Sequence, residues 1–564
     1  MKKDKANPAK ELYKQLRILT CKQLWDDEVM RFDRATPQER TERVAVIRAV
    51  GVVFSESGTD EDKAMARTWL RQLLHDPCEK IRRYAMAAMP KIGAGTGEEA
   101  ELLGLLRTTD VNREKKFLGQ TLEKIAGIAT LQEMEGGGFD LHTRQKVNAN
   151  VARSQNPSAI SMNSVLSDFT GLRIHLHCRR GLEEILQDEV NEATPARGKF
   201  RVAEVRGGLV AITPLAPFSL ADIYALRCFA TVGFVLGHTT SASESIESWA
   251  SMITSPVSQK IFKAFTRGSI RYRLNFVGKG HQRSAVHLVA NQAYALCPEI
   301  LNDARSAPWA IDIHPANEGG SVELSPRLSP DPRLYFRVQD VPAASHPPLA
   351  ACMARLAGKV IDGIVWDPFC GSGLELIERS LLGGVASICG TDLSADAIEI
   401  ARKNFTAAKL ASVHATFARC DFRDFQQIKE LGPETVGLVI TNPPMGRRVP
   451  IPDLRGLMED LFSAAATVLK PGGRLIFANP VRMESPQRSL SLQSRRLVDF
   501  GGFNCHLEVY LKLALPEPEA REPLAGGEAQ CNHRLPASKS VALRPGARES
   551  GHRRNRPIRP KKSV

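Results

Sequence analysis

The spacing of apolar residues changes twice along the chain. Residues 8–135 carry apolar residues three and four positions apart, which is typical of amphipathic helices. Residues 174–178 then begin a stretch in which alternating apolar runs predict strands and amphipathic runs predict helices. Between residues 342 and 512, apolar and amphipathic runs alternate in the order of an open, largely parallel sheet covered by helices. The pattern therefore predicts a multidomain chain with an all-α part, an α+β part and an α/β part.

Two segments of the helical part are similar to each other. Residues 76–93 and 110–127 each begin with Asp, end with Gly and lie 34 residues apart, so that Asp and Gly predict the two ends of a helix. The first segment resembles a HEAT repeat, in which an Asp-Pro turn precedes a helix that carries Arg, here Asp76 and Arg82; the second lacks the Pro. We interpret residues 8–135 as a HEAT-like array that binds a protein partner or RNA, with an ordinary helical bundle as the alternative.

The chain is predicted to divide further beyond these helices. Residues 136–170 are polar and lose the helical spacing, which predicts a linker. Residues 171–340 form the predicted α+β part, and residues 341–515 form the α/β part. Residues 516–564 are predicted to be a disordered basic tail, because from residue 534 onward it has ten Lys or Arg residues and a single Glu.

Composition excludes several classes of protein. With 43% hydrophobic and 24% charged residues, the chain is typical of globular proteins and not of disordered polymers. No run of about 18 apolar residues predicts a membrane span, and the polar N-terminus lacks the apolar core of a secretory signal, so we expect a cytoplasmic protein without membrane contact. The eleven Cys residues are scattered singly, which indicates neither a disulfide framework nor a zinc site.

The excess of basic residues favours a polyanionic partner. Lys and Arg number 76 against 62 Asp and Glu, which gives a net charge of +14. The predicted strand 270–276 places Arg271 and Arg273 on one face, and Lys279 and Arg283 follow it. These four residues predict an RNA-binding surface; a solvated sheet face is the alternative.

A glycine-rich turn marks the candidate ligand site. The predicted strand 364–367 runs into Pro368-Phe369-Cys370-Gly371-Ser372-Gly373, and a predicted helix follows at 374–382. Such a turn lets the backbone approach a ligand closely and directs free N–H groups toward it. The same spacing serves dinucleotides and simple tight turns, so the neighbouring strands must decide what binds.

Polar residues follow the next three predicted strands as well. These residues are Asp392, Asp421 and the string Asn442-Pro443-Pro444-Met445. In an open α/β sheet, ligands bind outside the carboxyl ends of the strands, where an acidic group 25 residues after Asp367 can accept bonds from ribose hydroxyls. The four strand ends together predict a nucleoside-binding crevice.

The two strings D-P-F-C-G-S-G and N-P-P-M resemble those of class I S-adenosylmethionine-dependent amino-methyltransferases, which have a Rossmann-like fold. The resemblance implies a set of cofactor-binding residues: Asp367, Phe369, Cys370, Gly371, Gly373, Asp392 at the ribose, Asp421 and Phe422 at the adenine, and Asn442. It implies a catalytic loop made of Asn442, Pro443, Pro444 and Met445, where an amide oxygen and a main-chain carbonyl accept the hydrogens of the target amine. No metal is required for this chemistry.

A longer pattern resembles the THUMP-associated RNA methyltransferases, which modify guanine at N2. It adds Glu375 and Glu378 to the first string, and it adds Arg447 and Arg448 to the second as RNA-binding residues. Residues 171–340 are similar to the THUMP-like region that grips the RNA in that family, on the loose motifs Arg180-Gly181-Leu182, Gly207-Gly208 and Leu226-Arg227. The resemblance implies guanine-N2 methylation of structured RNA, with tRNA favoured and 23S ribosomal RNA as the alternative.

Two further functions stay open at this point. A DNA adenine-N6 methyltransferase shares the Asn-Pro-Pro string. A catalytically weak RNA-binding or assembly protein is the other, because Met445 stands where the family usually has Tyr or Phe to stack on a flipped base.

Overall fold

The structure, a computed structural model, describes residues 8–93, 96–135, 139–192, 198–240, 245–278, 280, 282–314, 320–342, 344–359, 361–446 and 450–514. Among these residues, no helix combines the length and the apolar character needed to cross a membrane.

The first part of the chain is entirely helical, as the apolar spacing predicted. Its helices are α1 (Pro8–Leu16), α2 (Cys21–Gln23), α3 (Met30–Arg34), α4 (Pro37–Glu42), α5 (Ala45–Ser57), α6 (Asp60–Leu73), α7 (Glu79–Ala88), α8 (Thr96–Thr108), α9 (Asn112–Ile125), α10 (Ile128–Glu135) and α11 (Leu141–Gln155), with a π-helical segment at Leu24–Val29 and a 3₁₀ segment at Met89–Ile92. Helices α5, α7, α9 and α11 contact one another in succession around a core of aliphatic and aromatic side chains.

The two similar segments contribute α7 and α9, which pack together, but their ends differ from the prediction. The first residue before α7 is Cys78, whose N–H donates to Asp76 Oδ1 at 2.8 Å, so that Asp76 orders the turn rather than the helix end. Gly93 ends the first segment at φ +77°. Helix α9 follows Val111, which makes no side-chain cap bond, and its own end lies at Ala126 in extended backbone.

The segment predicted as a linker contains helix α11, so that prediction is wrong for residues 141–155. Asp140 caps the helix by accepting the N–H of Thr143 at 2.8 Å. Two of its polar residues, Thr143 and Gln145, are buried, and Gln145 Nε2 donates to the distant Ala290 carbonyl at 3.2 Å. Polarity here reflects hydrogen bonding inside the protein and not exposure to water.

The middle part is a mixed α/β region. Its elements are β1 (Ala159–Ile160), β2 (Val165–Leu166), β3 (Ile174–His177), α12 (Glu183–Glu192), β4 (Phe200–Arg206), β5 (Leu209–Pro214), β6 (Phe218–Ser219), α13 (Leu220–Ile223), β7 (Thr231–His238), α14 (Ile246–Ile253), α15 (Pro256–Phe265), β8 (Thr266–Arg267), β9 (Ile270–Phe276), α16 (Arg283–Leu296), β10 (Ile300–Asn302), β11 (Trp309–Ile313) and β12 (Ser321–Pro326). An eight-stranded sheet has the order β10-β9-β11-β12-β7-β3-β5-β4, and β1-β8 and β2-β6 form two small sheets. The strand predicted at 270–276 is confirmed residue for residue.

The last described part is an α/β sheet with helices alternating along it, as predicted. A 3₁₀ segment at Pro332–Leu334 leads to α17 (Pro347–Leu356), β13 (Ile364–Asp367), α18 (Leu374–Leu381), β14 (Ser387–Asp392), α19 (Ala395–Ala407), β15 (His414–Arg419), a 3₁₀ segment at Phe422–Gln427, β16 (Val436–Thr441), α20 (Leu454–Val468), β17 (Leu469–Asn479), β18 (Leu490–Asp499) and β19 (Asn504–Lys512). The seven strands have the order β15-β14-β13-β16-β17-β19-β18. Five are parallel, and β19 pairs antiparallel with both β17 and β18.

A buried ion pair joins the middle part to this sheet. The guanidinium of Arg227 donates to both oxygens of Glu378 on α18, at 2.6 and 2.7 Å, and also to the Arg333 carbonyl at 2.9 Å. One core of apolar side chains continues from the eight-stranded sheet into the seven-stranded one. Helix α18 therefore has one end at the glycine-rich turn and one face against the middle part.

Candidate active site

The conformation of the turn between β13 and α18 depends on Asp367 and on two glycines. Asp367 is fully buried at the end of β13, and its Oδ1 accepts the N–H of Phe369 at 3.0 Å. Gly371 and Gly373 have φ values of +50° and +80°, which L side chains rarely adopt. A Cβ on Gly373 would lie 3.3 Å from Ala401 Cβ, so this position also lets α18 approach α19.

Asp392 closes the next strand beside this turn. Its Oδ2 accepts the N–H of Gly371 at 3.0 Å, and its Oδ1 accepts the N–H of Ser394 at 2.9 Å. A carboxylate has about four lone-pair positions, so both oxygens keep acceptor capacity for further donors. Sequence alone predicted Asp392 as a ligand residue; its bond to the turn shows that it also fixes the loop.

The rings of Phe369, which follows β13, and Phe422, which follows β15, are in contact. Their centroids lie 4.9 Å apart, with the ring planes at 53°. Asp421 caps the short 3₁₀ segment by accepting the N–H of Arg423 at 3.0 Å, and the Arg423 guanidinium lies 3.1 Å from its other oxygen. Cys370 is buried, and its N–H donates to the Thr391 carbonyl at 3.0 Å.

Two buried oxygens at the carboxyl ends of the adjacent strands β13 and β16, Asp367 Oδ2 and Asn442 Oδ1, have no hydrogen-bond partner among the described residues, and the nearby Thr441 Oγ1 and Glu375 Oε1 have none there either. This is the point where the strand order reverses, which is where open α/β sheets bind ligands. Burial and the nearby carboxyl of Glu375 raise the pKa of Asp367 well above its ordinary value. Because they lie at the carboxyl edge of the sheet, the Asp367 and Asn442 oxygens are both placed to accept hydrogen bonds from a ligand bound there.

The side-chain amide of Asn442 is oriented by Ser345, a residue outside the sequence motifs. Its Nδ2 donates to Ser345 Oγ at 2.7 Å, across 97 residues of sequence. Burial raises the pKa of Glu375, and a hydrogen bond with Ser345 offsets part of that rise. Ser345 thus fixes the amide group and leaves Asn442 Oδ1 able to accept a hydrogen bond. No local sequence pattern could have identified Ser345. Pro443 is buried, and Met445 is half-buried.

The residues predicted to bind RNA differ in their exposure to solvent. Arg271 is buried and donates to Asp303 Oδ2 at 2.9 Å, so its prediction as an RNA contact is wrong. Arg273 and Arg283 are exposed, as an RNA-binding role requires. The remaining predicted contacts lie outside the described residues; they are Lys279, Arg447 and Arg448.

The segment that contains this site matches a known protein family. Residues 335–509 match the model of the UPF0020 family, described as an RMKL-like methyltransferase domain. The matched segment is a methyltransferase domain. It contains all the strands of the seven-stranded sheet except for the last residues of β19, and it contains both Asp367 Oδ2 and Asn442 Oδ1.

Individual relatives share parts of the chain. A tRNA (guanine(10)-N2)-dimethyltransferase from Methanocaldococcus jannaschii is 29% identical over 185 residues, which cover 33% of this chain and 50% of that protein. Ribosomal RNA large subunit methyltransferase K/L from Syntrophotalea carbinolica is 27% identical over 199 residues, which cover 27% of each chain. The crystal structure of TrmN from Thermus thermophilus is 21% identical with a TM-score of 0.48, and the alignment covers 61% of this chain and all of that one. The chain thus spans about half the length of the first of these relatives.

The residues of the methyltransferase domain fit its cofactor, S-adenosylmethionine. The cofactor carries a nucleoside, an ammonium group and a sulfonium centre. A cation next to Asp367 would provide a charge partner for its buried carboxyl, whose pKa burial and Glu375 now raise. The half-buried carboxylate of Asp392 and the ring of Phe369 are an acceptor and an apolar surface of the kinds that ribose and adenine need.

We expect Asp392→Ala to weaken S-adenosylmethionine binding by about 1.5–3 kcal/mol, since it removes charge-assisted hydrogen bonds. Titration calorimetry on the folded variant measures the change. Asp396→Ala, an exposed carboxylate one turn away at the start of α19, is the matched control and should bind as the wild type does. An unchanged dissociation constant for Asp392→Ala would contradict the ribose assignment.

Proposed function

We propose that this protein is an S-adenosylmethionine-dependent RNA methyltransferase that transfers a methyl group to the exocyclic N2 amine of a guanine, in tRNA. The observation that carries the proposal is Asn442 Oδ1, a buried acceptor at the edge of the methyltransferase domain that has no partner among the residues the structure describes. The name of the archaeal relative supports a tRNA guanine as the target. The ribosomal RNA enzyme among the relatives makes ribosomal RNA the second candidate.

The proposed chemistry depends on two acceptors. An exocyclic amine is a poor nucleophile, because its lone pair is conjugated with the base. Asn442 Oδ1 and the Pro443 carbonyl would accept its two hydrogens, which turns the lone pair toward the methyl group that the cofactor supplies. Ser345 holds the amide of Asn442 in this orientation. The side chain of Met445, next in the loop, would lie against the flipped base.

The cofactor assignments form part of the same proposal. Asp392 would accept the ribose hydroxyls, and Asp421 with Phe422 would hold the adenine. Asp367 and the turn made of Phe369, Cys370, Gly371 and Gly373 would enclose the rest of the molecule. The bond from Gly371 N–H to Asp392 supports this arrangement, because it ties the turn to the ribose residue before any ligand arrives.

The other parts of the chain would serve RNA and partner binding. Residues 171–340, with the exposed Arg273 and Arg283, are proposed to be a THUMP-like module that grips structured RNA, and the basic tail adds non-specific affinity. The successive contacts of α5, α7, α9 and α11 support a HEAT-like array, which we propose binds a protein partner. A cytoplasmic location completes the proposal.

The test is a product analysis. The full chain is incubated with methyl-labelled S-adenosylmethionine and, in separate reactions, unmodified tRNA, 23S ribosomal RNA and double-stranded DNA. Digestion and mass spectrometry should find N2-methylguanosine in tRNA. N2-methylguanosine in ribosomal RNA alone would move the substrate to the second candidate. N6-methyladenine in DNA, or RNA binding without any product, would overturn the proposal.

A second prediction concerns base binding. If the flipped guanine lies against residue 445, Met445→Tyr should strengthen binding of the target RNA by up to about 1–3 kcal/mol, the value of one stacked base. Fluorescence anisotropy with a short stem-loop that carries the target guanine measures it. Met483→Tyr would disturb the core, so the control is Met30→Tyr on the exposed side of α3, which should leave affinity unchanged. Weaker binding by Met445→Tyr would contradict this position for the base.

A further inference from the structure

Three histidines and one glutamate converge on the eight-stranded sheet, far from the methyltransferase loop in sequence. His175 and His177 lie on β3 two residues apart, and so share one face. His175 Nδ1 and His177 Nε2 each lie 2.7 Å from a different oxygen of Glu323 on β12. His314, just after β11, places its Nε2 3.8 Å from Glu323 Oε2. Three imidazoles, two from β3 and one just after β11, thus lie around the carboxylate of Glu323.

A glycine in the strand between β3 and β12 leaves space for the side chain of Glu323. Strand β7 lies between β3 and β12, and its Gly233 pairs with His175. A Cβ on Gly233 would lie 2.2 Å from Glu323 Oε2. The missing side chain therefore lets Glu323 reach across β7 to the histidines. Ser321 Oγ donates to Glu323 Oε1 at 2.8 Å and fixes the carboxylate in that position.

The cluster has a buried wall and an open side. The side chains of His175 and Glu323 are 1% and 2% exposed, whereas those of His177 and His314 are 30% and 24% exposed. Burial opposes ionisation of Glu323, but hydrogen bonds from His175 and His177 hold its pKa below the ordinary value. Water and ions can reach the carboxyl group past the partly exposed His177 and His314.

This donor set is the one that zinc-like metals prefer. Imidazole nitrogens with one carboxylate bind Zn²⁺ at about 2.0–2.2 Å in a tetrahedral arrangement. The ligand atoms of His175, His177 and Glu323 lie within 4.8 Å of one another, close enough to hold one ion between them. His314, whose Nε2 lies 3.8 Å from Glu323 Oε2, would have to turn toward this ion to supply a fourth ligand. The Ser321 hydroxyl on Glu323 is the kind of outer contact that orients metal ligands.

We propose that His175, His177, His314 and Glu323 form a binding site for a divalent transition metal of the zinc type, in the middle part of the chain and separate from the methyl-transfer site. Binding would replace the hydrogen bonds between the imidazoles and Glu323 with bonds to the metal. The scattered Cys residues indicated no zinc site because this one uses His and Glu, with partners 148 residues apart in sequence. The competing interpretation is a cluster held by hydrogen bonds alone.

The test uses the full chain, stripped with a chelator and dialysed. Titration calorimetry with Zn²⁺ should show one site, and Co²⁺ should give the visible absorption bands of tetrahedral coordination. Loss of an outer contact typically lowers metal affinity about 10–100-fold, so loss of a direct ligand in His177→Ala or Glu323→Gln should lower it by more than about 100-fold. His414→Ala, an exposed histidine that begins β15, is the control and should bind as the wild type does.

Two results would overturn the proposal. One is a stripped full chain that binds no Zn²⁺; the other is a folded His177→Ala variant with wild-type affinity. Circular dichroism checks folding. If the buried Glu323→Gln fails to fold, His177→Ala and His314→Ala decide, because both side chains are partly exposed and tolerate truncation.

Discussion

Asn442→Ala should slow single-turnover methyl transfer by about 100-fold to 1,000-fold, or about 3–4 kcal/mol in the barrier, while S-adenosylmethionine affinity stays nearly unchanged. The loss is that of one oriented acceptor for the amine, and the unpartnered Oδ1 is the structural reason for expecting it. Rapid-quench measurement of N2-methylguanosine under saturating cofactor gives the rate. A folded variant that methylates at the wild-type rate would refute the proposed mechanism.

Two companion variants separate chemistry from structure. Ser345→Ala keeps the acceptor and removes only its anchor, so it should slow transfer by less than Asn442→Ala does. Asn112→Ala changes an exposed residue at the start of α9 and should have no effect on the rate. A larger loss from Ser345→Ala than from Asn442→Ala would mean that Ser345 acts in some other way than through the amide.

Arg227→Met should destabilise the folded chain by about 3–5 kcal/mol, because it leaves Glu378 buried without its partner. Urea denaturation followed by circular dichroism measures the free energy of unfolding. The double variant Arg227→Met with Glu378→Met should recover much of the loss, since it removes the stranded carboxyl as well. Arg455→Met breaks an exposed pair with Glu459 on α20 and should cost less than about 1 kcal/mol.

The pH dependence of the Arg227→Met effect follows from Glu378. Burial already raises the pKa of this carboxyl, and Arg227 lowers it in the intact protein, so the substitution raises it further. A carboxyl whose pKa is higher in the folded state favours folding below its unfolded pKa, about 4.3, and loses that contribution as the pH rises. The difference between variant and wild type should therefore be smallest near pH 4 and largest above neutrality. A pH-independent difference would contradict the assignment to Glu378.

Sequence was most informative where a pattern is local. Strands β13 and β16 begin and end where apolar runs predicted, because a buried parallel strand must be apolar along its whole length. Asp367 and Asn442 were found because each follows such a strand directly. Alternation correctly placed Arg271 and Arg273 on β9, but it gives only the face of a strand and not what covers that face. Asp303 buries one arginine and leaves the other exposed.

Contacts between distant segments could not be predicted in this way. Ser345 meets Asn442 only because α17 begins next to the end of β16 in the folded chain. His175 and His177 form a visible pair in the sequence, but their partner Glu323 is two strands away across β7. Helix α11 was missed because hydrogen bonds of polar side chains, such as those of Gln145 and Asn148, help to hold its face against α16 and break the apolar pattern. In each case the stabilising partner has no fixed spacing from the residue that it contacts.

Helix α11 has a practical consequence for making shorter versions of this protein. Asn148 donates to the Tyr294 hydroxyl at 2.7 Å, and Arg153 forms an ion pair with Asp303 at 2.9 Å. A fragment that starts at residue 171, after the polar stretch, would uncover this side of α16 and leave Asp303 with one arginine instead of two. An expression fragment of the catalytic and middle parts should therefore start before Asp140 and carry α11 as its first helix.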